Sequence, residues 1–282
     1  MAEPQVVEKA TEARELAASW RRAGLRVALV PTMGYLHEGH LSLMREALRQ
    51  ADRLAVSIFV NPLQFGPAED LARYPRDLPG DLAKCGAAGA HAVFHPPPED
   101  VYPPGFQTAV DVGELSQGLC GASRPGHFRG VATVVAKLLC LFLPDVAVFG
   151  RKDYQQLKII ERLTLDLGLP TGIVGAPIVR EPDGLALSSR NAYLSADERR
   201  RALCLSQGLA AARALFASGV REPAPLSQVI LDRLAEAGAR ADYAEIRDGE
   251  SLRAVTRADA RSMAFVAAFV GKTRLIDNTA LA

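Results

Sequence analysis

The sequence predicts an α/β protein, with a doubly wound parallel sheet over residues 1–175 and a smaller α+β domain over residues 176–282. Three observations predict it. Short, mostly apolar runs such as Arg26-Val-Ala-Leu-Val-Pro31 have the continuous character of strands buried on both faces. These runs alternate with stretches of helical spacing, the pattern of strand–helix–strand units joined in a parallel sheet. Beyond about Ala176 the order changes to helices followed by short strands, which marks a separate α+β unit.

Each element has its own warrant. Residues 11–23 form an amphipathic helix, with Leu16, Ala17 and Trp20 on one face and Gly24 as the stop. Residues 26–31 are the first buried strand. Residues 39–50 return to helical spacing through Leu43, Ala47 and Leu48, and residues 53–60 complete the βαβ unit. A helix over 81–89, a short strand over 90–94 and a proline-rich loop over 95–105 follow. The first domain closes with an apolar helix over 130–143, a strand over 145–149 and a helix over 154–167. In the second domain, residues 196–218 read as one long helix and 226–237 as another. Residues 241–247, 263–270 and 273–276 read as strands of an antiparallel meander.

Composition narrows the function. With 33 basic and 32 acidic residues the net charge is +1, which argues against a nucleic-acid partner. A hydrophobic fraction of 49% argues against disorder. Cys85, Cys120, Cys140 and Cys204 form no C-x-x-C pair and fit neither a zinc site nor a disulfide framework. The first 20 residues lack the apolar core of a signal peptide. No apolar run reaches the roughly 20 residues that span a bilayer. The expected setting is the cytoplasm, with no membrane partner.

Directly after the first strand comes Pro31-Thr-Met-Gly-Tyr-Leu-His-Glu-Gly-His40, and a helix follows at once. Ligands of α/β sheets bind at the carboxyl ends of the strands. A helix N-terminus there presents backbone N–H groups and a positive dipole end to phosphate. His37 and His40 add imidazole donors, and Gly39 permits close approach of the backbone. Two histidines at this spacing and place outweigh the alternative of solvent-facing loop residues. A metal reading is weaker, because no third ligand stands near.

Four further blocks follow in order: Ser57-Ile-Phe-Val-Asn-Pro-Leu-Gln-Phe65, Arg124-Pro-Gly-His-Phe-Arg-Gly130, Phe149-Gly-Arg-Lys-Asp-Tyr-Gln-Gln156 and Leu187-Ser-Ser-Arg-Asn191. With the histidine block they resemble the pantoate–β-alanine ligase (pantothenate synthetase) family of the H-x-G-H nucleotidylyltransferase superfamily. The resemblance implies a Rossmann-like first domain and a two-step reaction. ATP and pantoate give pantoyl adenylate and pyrophosphate; the amine of β-alanine then attacks the acyl carbon, giving pantothenate and AMP.

The resemblance also implies roles. His40 is the closest to a catalytic acid, with proton donation and electrostatic stabilisation both open, and His37 and Lys152 act beside it on the phosphates. Met33, Gly34, His37, Gly39, His40, Gly150, Lys152 and Asp153 belong to the ATP site, Asp153 as a helix cap or a ribose acceptor. Val179 offers backbone to the adenine. Leu187, where the family is expected to have methionine, precedes a triphosphate clamp of Ser188, Ser189 and Arg190, while Ser195 and Glu198 form a capping box. Gln64 and Gln156 bind pantoate, and Gln64 also touches β-alanine. Domain closure completes the site, and the assembly is a homodimer through the first domain. Family members often carry two adjacent acidic residues where this chain has Gly80 and Asp81. Asp81 is either a contact to Mg²⁺ held mainly by ATP or a helix N-cap near Leu82.

Other features read as decoys. Gly271-Lys-Thr273 lacks the first glycine of a P-loop, since position 266 is valine. Cys85, His91 and His95 have unconvincing metal spacing and read as structural. Arg151 reads as solvent-facing, and His127 and Arg129 stand near the site by resemblance. Transfer of a nucleotidyl group to a phosphate ester is the same-class rival. A tRNA-binding relative and a non-catalytic paralogue are the others.

Overall fold

The structure, a computed structural model, describes residues 3–67 and 69–282. In chain order it runs β1 (Gln5–Val7), α1 (Ala10–Arg22), β2 (Val27–Thr32), α2 (Glu38–Leu48), β3 (Arg53–Ile58), α3 (Leu78–Ala87), β4 (Ala92–Phe94) and α4 (Pro98–Val101). It continues with α5 (Leu119–Ser123), α6 (His127–Phe142), β5 (Val146–Gly150), α7 (Tyr154–Asp166) and β6 (Gly172–Ala176). The remainder is α8 (Ala196–Arg201), α9 (Cys204–Ala217), α10 (Pro223–Glu236), β7 (Arg240–Asp248), β8 (Ser262–Val270) and β9 (Thr273–Ala280). The chain divides into two compact units. The first takes in the chain up to Ser116, then Arg124–Arg151 and Gln156–Pro177; the second is Gln117–Ser123, Lys152–Gln155 and Ile178–Ala282.

In the first unit six strands pair in the order β1-β4-β3-β2-β5-β6, all parallel. This is the doubly wound α/β sheet that the apolar runs predict. Val27, Ala28, Leu29 and Val30 of β2 are fully buried, as a strand covered on both faces must be. From β2 the chain moves outward to β3 and β4 on one side, and β5 and β6 lie on the other. The order reverses between β2 and β5, which opens a crevice at their carboxyl ends. Several elements depart from the sequence expectation: α4 stands inside the loop expected over 95–105, α5 and β6 have no expected counterpart, and α6 starts at His127 and not at residue 130. Strand β1, with two exposed residues of three, shows no apolar period, yet pairs with β4 as the sheet edge. Helix α3 begins at Leu78, not at residue 81, because Asp77 caps it by accepting the Gly80 amide at 3.1 Å, and Pro79 fits its first turn.

The second unit holds the antiparallel sheet β7-β8-β9, with α9 and α10 supplying Leu205, Leu209, Leu226 and Ile230 to its core. Gly271 and Lys272 form the turn between β8 and β9, with Val270 paired to Thr273, so Gly-Lys-Thr is a hairpin. The single helix expected over 196–218 is two. Helix α8 keeps its arginines on polar partners: Arg199 on Glu181 and Asp183, Arg201 on the Ala237 carbonyl. After a break at 202–203, α9 turns Cys204, Leu205, Leu209 and Phe216 into the core. Segment 152–155 clusters with this unit although it precedes residue 176. Gln155 accepts the Cys120 amide at 3.1 Å and donates to the Gln117 and Gly118 carbonyls, and Asn278 donates to the Lys152 carbonyl at 2.8 Å.

Ile230 is fully buried in this core. We predict that Ile230→Ala lowers stability by about 2–5 kcal/mol, read as a reduced urea midpoint with an unchanged slope.

Candidate active site

The histidine block leaves β2 by a tight, left-handed bend. Gly34 has φ +83° and Tyr35 φ +51°. A Cβ on Gly34 would stand 3.0 Å from both Asp81 Oδ2 and Ile58 Cγ2, so the position suits glycine on conformation and on space. Thr32 Oγ1 accepts the Gly34 amide at 3.2 Å and donates to the Ser57 carbonyl at 2.8 Å, tying the bend to β3. Both Asp81 oxygens accept amides at 2.7 Å, Oδ2 from Tyr35 and Oδ1 from Leu36.

His37 then stands at the N-cap of α2, with Gly39 and His40 in its first turn. The His37 backbone N–H donates to His40 Nδ1 at 3.2 Å, and the two rings lie 4.1 Å apart between centroids. An acceptor at Nδ1 leaves the proton of the neutral His40 ring on Nε2. A helix N-terminus such as that of α2 favours an anion, and an N–H at Nε2 has the chemistry to donate to one.

Gln64 closes a short 3₁₀ turn after β3 and is only 8% exposed. Asn61 Nδ2 donates to Gln64 Oε1 at 3.2 Å and to the Gly130 carbonyl at 3.1 Å. Asn61 Oδ1 accepts the Tyr102 hydroxyl at 2.8 Å. Gln64 Nε2 lies 2.8 Å from Met33 Sδ, which brings the amide to the histidine bend. His127 bonds the Gln64 carbonyl through Nδ1 at 2.9 Å and Arg124 through Nε2 at 3.0 Å, and Arg124 pairs with Glu69 at 2.6 Å. Sequence reasoning assigned no role to Asn61, Tyr102 or Arg124. The Asn-Pro turn signal was present at Asn61, but its burial and partners were not. Gly150 ends β5 beside β2, and Gln156 lies in the first turn of α7.

The second unit carries the remaining predicted residues. Lys152 and Asp153 belong to a 3₁₀ turn ahead of α7, Asp153 exposed. The Val179 carbonyl accepts the Leu187 amide at 3.0 Å, closing a small hairpin. Arg180 braces that hairpin through a bidentate pair with buried Asp277, at 2.6 and 2.9 Å. Ser188 and Ser195 divide less cleanly than expected. Ser195 and Glu198 form their capping box, but Ser188 is also a cap, its Oγ accepting the Arg190 amide at 3.3 Å. The 3₁₀ turn 189–193 leaves that amide without an internal acceptor, and a serine ahead of it supplies one. Ser189 is buried and Arg190 half-buried.

Asp81 does not fit a magnesium ligand. It is 1% exposed, and each oxygen is committed to an amide. Magnesium keeps several waters and wants open oxygen ligands. Nor is Asp81 the helix cap, which is Asp77. Among the described residues no three His, Cys, Asp or Glu side chains group as metal ligands. The other singled-out residues have structural partners. His91 Nδ1 lies 3.1 Å from the Leu54 amide, His95 Nδ1 2.8 Å from the Ile58 carbonyl, and burial pushes the Cys85 thiol up to about 12. Arg151 is exposed but donates to the Gly175 carbonyl at 2.9 Å. Arg129 is exposed, 3.5 Å from Asp111.

A sequence model described as Pantoate-beta-alanine ligase matches residues 5–280. The chain belongs to the pantoate–β-alanine ligase family. Within that family it is 60% identical over 281 residues to a pantothenate synthetase of Myxococcus xanthus, covering 99% of this chain and 96% of the relative. It is 54% identical over 278 residues to that of Geobacter sulfurreducens, covering 98% of each. Among solved ligases, the pantothenate synthetase of Thermus thermophilus superposes with a TM-score of 0.92 at 45% identity, over 98% of this chain and 99% of that one. The pantoate-beta-alanine ligase of Francisella tularensis, solved with beta-gamma ATP and beta-alanine, superposes at 0.82 with 31% identity, over 99% and 98%.

The Gln64 turn and α6 meet where Gly130 has no side chain. A Cβ there would lie 2.2 Å from the Leu63 carbonyl oxygen and 2.6 Å from the Gln64 nitrogen. We predict that Gly130→Ala costs about 1–3 kcal/mol through overpacking and shifts the Gln64 side-chain amide resonances. Thermal unfolding and NMR check the two effects.

Proposed function

We infer that the protein catalyses the ATP-dependent condensation of pantoate with β-alanine to pantothenate, AMP and pyrophosphate, through pantoyl adenylate. Family membership supports the reaction class. So does the Francisella tularensis relative, whose structure holds an ATP species and beta-alanine. The observation that carries the reading is the His37–His40 pair at the N-terminus of α2, at the carboxyl edge of β2 where the sheet order reverses.

In this reading the pantoate carboxylate attacks the α-phosphorus, and the bond to the bridging oxygen of pyrophosphate breaks. Negative charge moves onto the leaving group. His40 Nε2–H, His37, Lys152 and the α2 N-terminus stabilise that charge in place. Met33, Gly34, Gly39 and Gly150 give the backbone room that ATP needs. Asp153 accepts from the ribose, Val179 meets the adenine, and Leu187, Ser188, Ser189 and Arg190 hold the triphosphate. Gln64 and Gln156 read the hydroxyls and carboxylate of pantoate without a counter-charge, which sets this reading above transfer to a phosphate ester. The β-alanine amine, guided past Gln64, then attacks the acyl carbon, and AMP leaves. No covalent bond to the protein forms, so positioning is the main contribution.

The division at residues 175/176, with the histidine and pantoate sites before it and the triphosphate clamp after it, is part of the proposal. So are Mg²⁺ as the companion of the ATP phosphates, a homodimer through the first unit and a cytoplasmic setting. All four cysteines are free thiols, which suits a reducing compartment. No helix among the described residues is long and apolar enough to cross a membrane.

Incubation with ATP, Mg²⁺, pantoate and β-alanine is expected to release AMP only when both acceptors are present; AMP release without either overturns the ligase reading. His40→Ala is expected to lower the rate by roughly two to three orders of magnitude, the usual loss of a preorganised donor; a variant with full activity removes His40 from the site. Light scattering of the purified protein is expected to give twice the chain mass.

A further inference from the structure

Asp81 and Lys84 stand three residues apart on α3, on one face of the helix. Asp81 accepts the Tyr35 and Leu36 amides, each at 2.7 Å, and Lys84 Nζ donates to the Leu36 carbonyl at 2.8 Å. The two therefore hold both polar sides of the residue that precedes His37. The left-handed Gly34 and Tyr35 turn successive amides toward one point, and such an arrangement binds an anion. Here the anion is the chain's own carboxylate, shut away from solvent.

We propose that Asp81 and Lys84 form an internal clamp that fixes the entry of the chain into α2, making Asp81 a positioning residue for His37 and His40 and not a metal ligand. The carboxylate stabilises a bend that left-handed Tyr35 would otherwise leave, and the bend sets where the His37 backbone amide meets His40 Nδ1. An asparagine at position 81 keeps one acceptor oxygen and turns an NH₂ toward the second amide, so one buried donor loses its partner. A methionine at position 84 keeps the stem and removes the donor over Leu36. An arginine there keeps both.

The test uses the full-length protein and the variants Asp81→Asn, Lys84→Met and Lys84→Arg. It rests on the ligase reading only through its kinetic arm. Hydrogen exchange followed by NMR is expected to show the Tyr35 and Leu36 amides exchanging at least about tenfold faster in Asp81→Asn. The turnover number for pantoate-dependent pyrophosphate release is expected to fall at least about tenfold, with the KM for β-alanine within about twofold. Lys84→Met follows in the same direction, and Lys84→Arg stays within about threefold of the parent. Mn²⁺ titration without nucleotide, followed by the free-ion EPR signal, is expected to be the same for the parent and Asp81→Asn. Stoichiometric Mn²⁺ binding that Asp81→Asn abolishes overturns the proposal, as do unchanged exchange and turnover in that variant. Should Asp81→Asn not fold, the lysine pair decides: Lys84→Met matching the parent in exchange and turnover overturns the clamp. A parent enzyme that releases no pyrophosphate overturns the ligase reading and leaves the exchange and Mn²⁺ arms standing.

Discussion

Between Thr32, where β2 ends, and Glu38, where α2 begins, the chain has only positions 33–37 in which to reverse direction. Ligands of helix-covered parallel sheets bind at the carboxyl ends of the strands, so this connector lies where such a sheet presents its binding surface. Two left-handed residues make it short enough, and the Asp81 carboxylate makes that conformation tolerable. Gly34, the Thr32 hydroxyl, the His37 cap and the Met33 contact with Gln64 all depend on its shape.

Alongside its exposed ion pairs the chain has several that involve half-buried or buried groups. Arg124 pairs with Glu69 beside the Gln64 turn, Arg180 with buried Asp277, Arg199 with Glu181 and Asp183, and Arg274 with Asp242. The Arg124, Arg180 and Arg274 pairs are partly withdrawn from water, where losing one partner strands the other, whereas Asp183 is exposed. In the second unit Arg274 also lies beside the Cys120 thiol and Tyr243, whose phenol burial pushes well above its ordinary range. A balanced total of basic and acidic residues thus reflects many local commitments.

The parts legible in sequence were those whose cause is local. Apolar runs with helical spacing between them gave the parallel sheet, and the histidine block announced its own strand end and helix start. What stayed hidden depended on distance along the chain. Asp81 reaches its amide partners from 46 and 45 positions away, and no residue near it in sequence signals them. Strand β1 has no period of its own and exists because β4 offers an edge. The break between α8 and α9 lies inside a continuous helical pattern; α8 keeps Arg199 on Glu181 and Arg201 on the Ala237 carbonyl, and α9 turns its apolar face to the core. Asn61 looked like an ordinary turn residue until burial made its amide the link between Gln64 and α6.

The sheet order also has a meaning in time. Strand β2 is central, with β3 on one side and β5 on the other, and its partner on the β5 side begins with Ala28 against Val146. During synthesis from the N-terminus, β1, β2, β3 and β4 are all available once residue 94 has left the ribosome, and so is Asp81, the partner of the histidine bend. One side of β2 then still presents unpaired backbone groups, and the crevice has a single wall. The second wall arrives only with residues 146–150. A nascent chain therefore holds both partners of the histidine bend long before the other flank of β2 is covered, and for that interval this open flank is its most exposed route to mispairing.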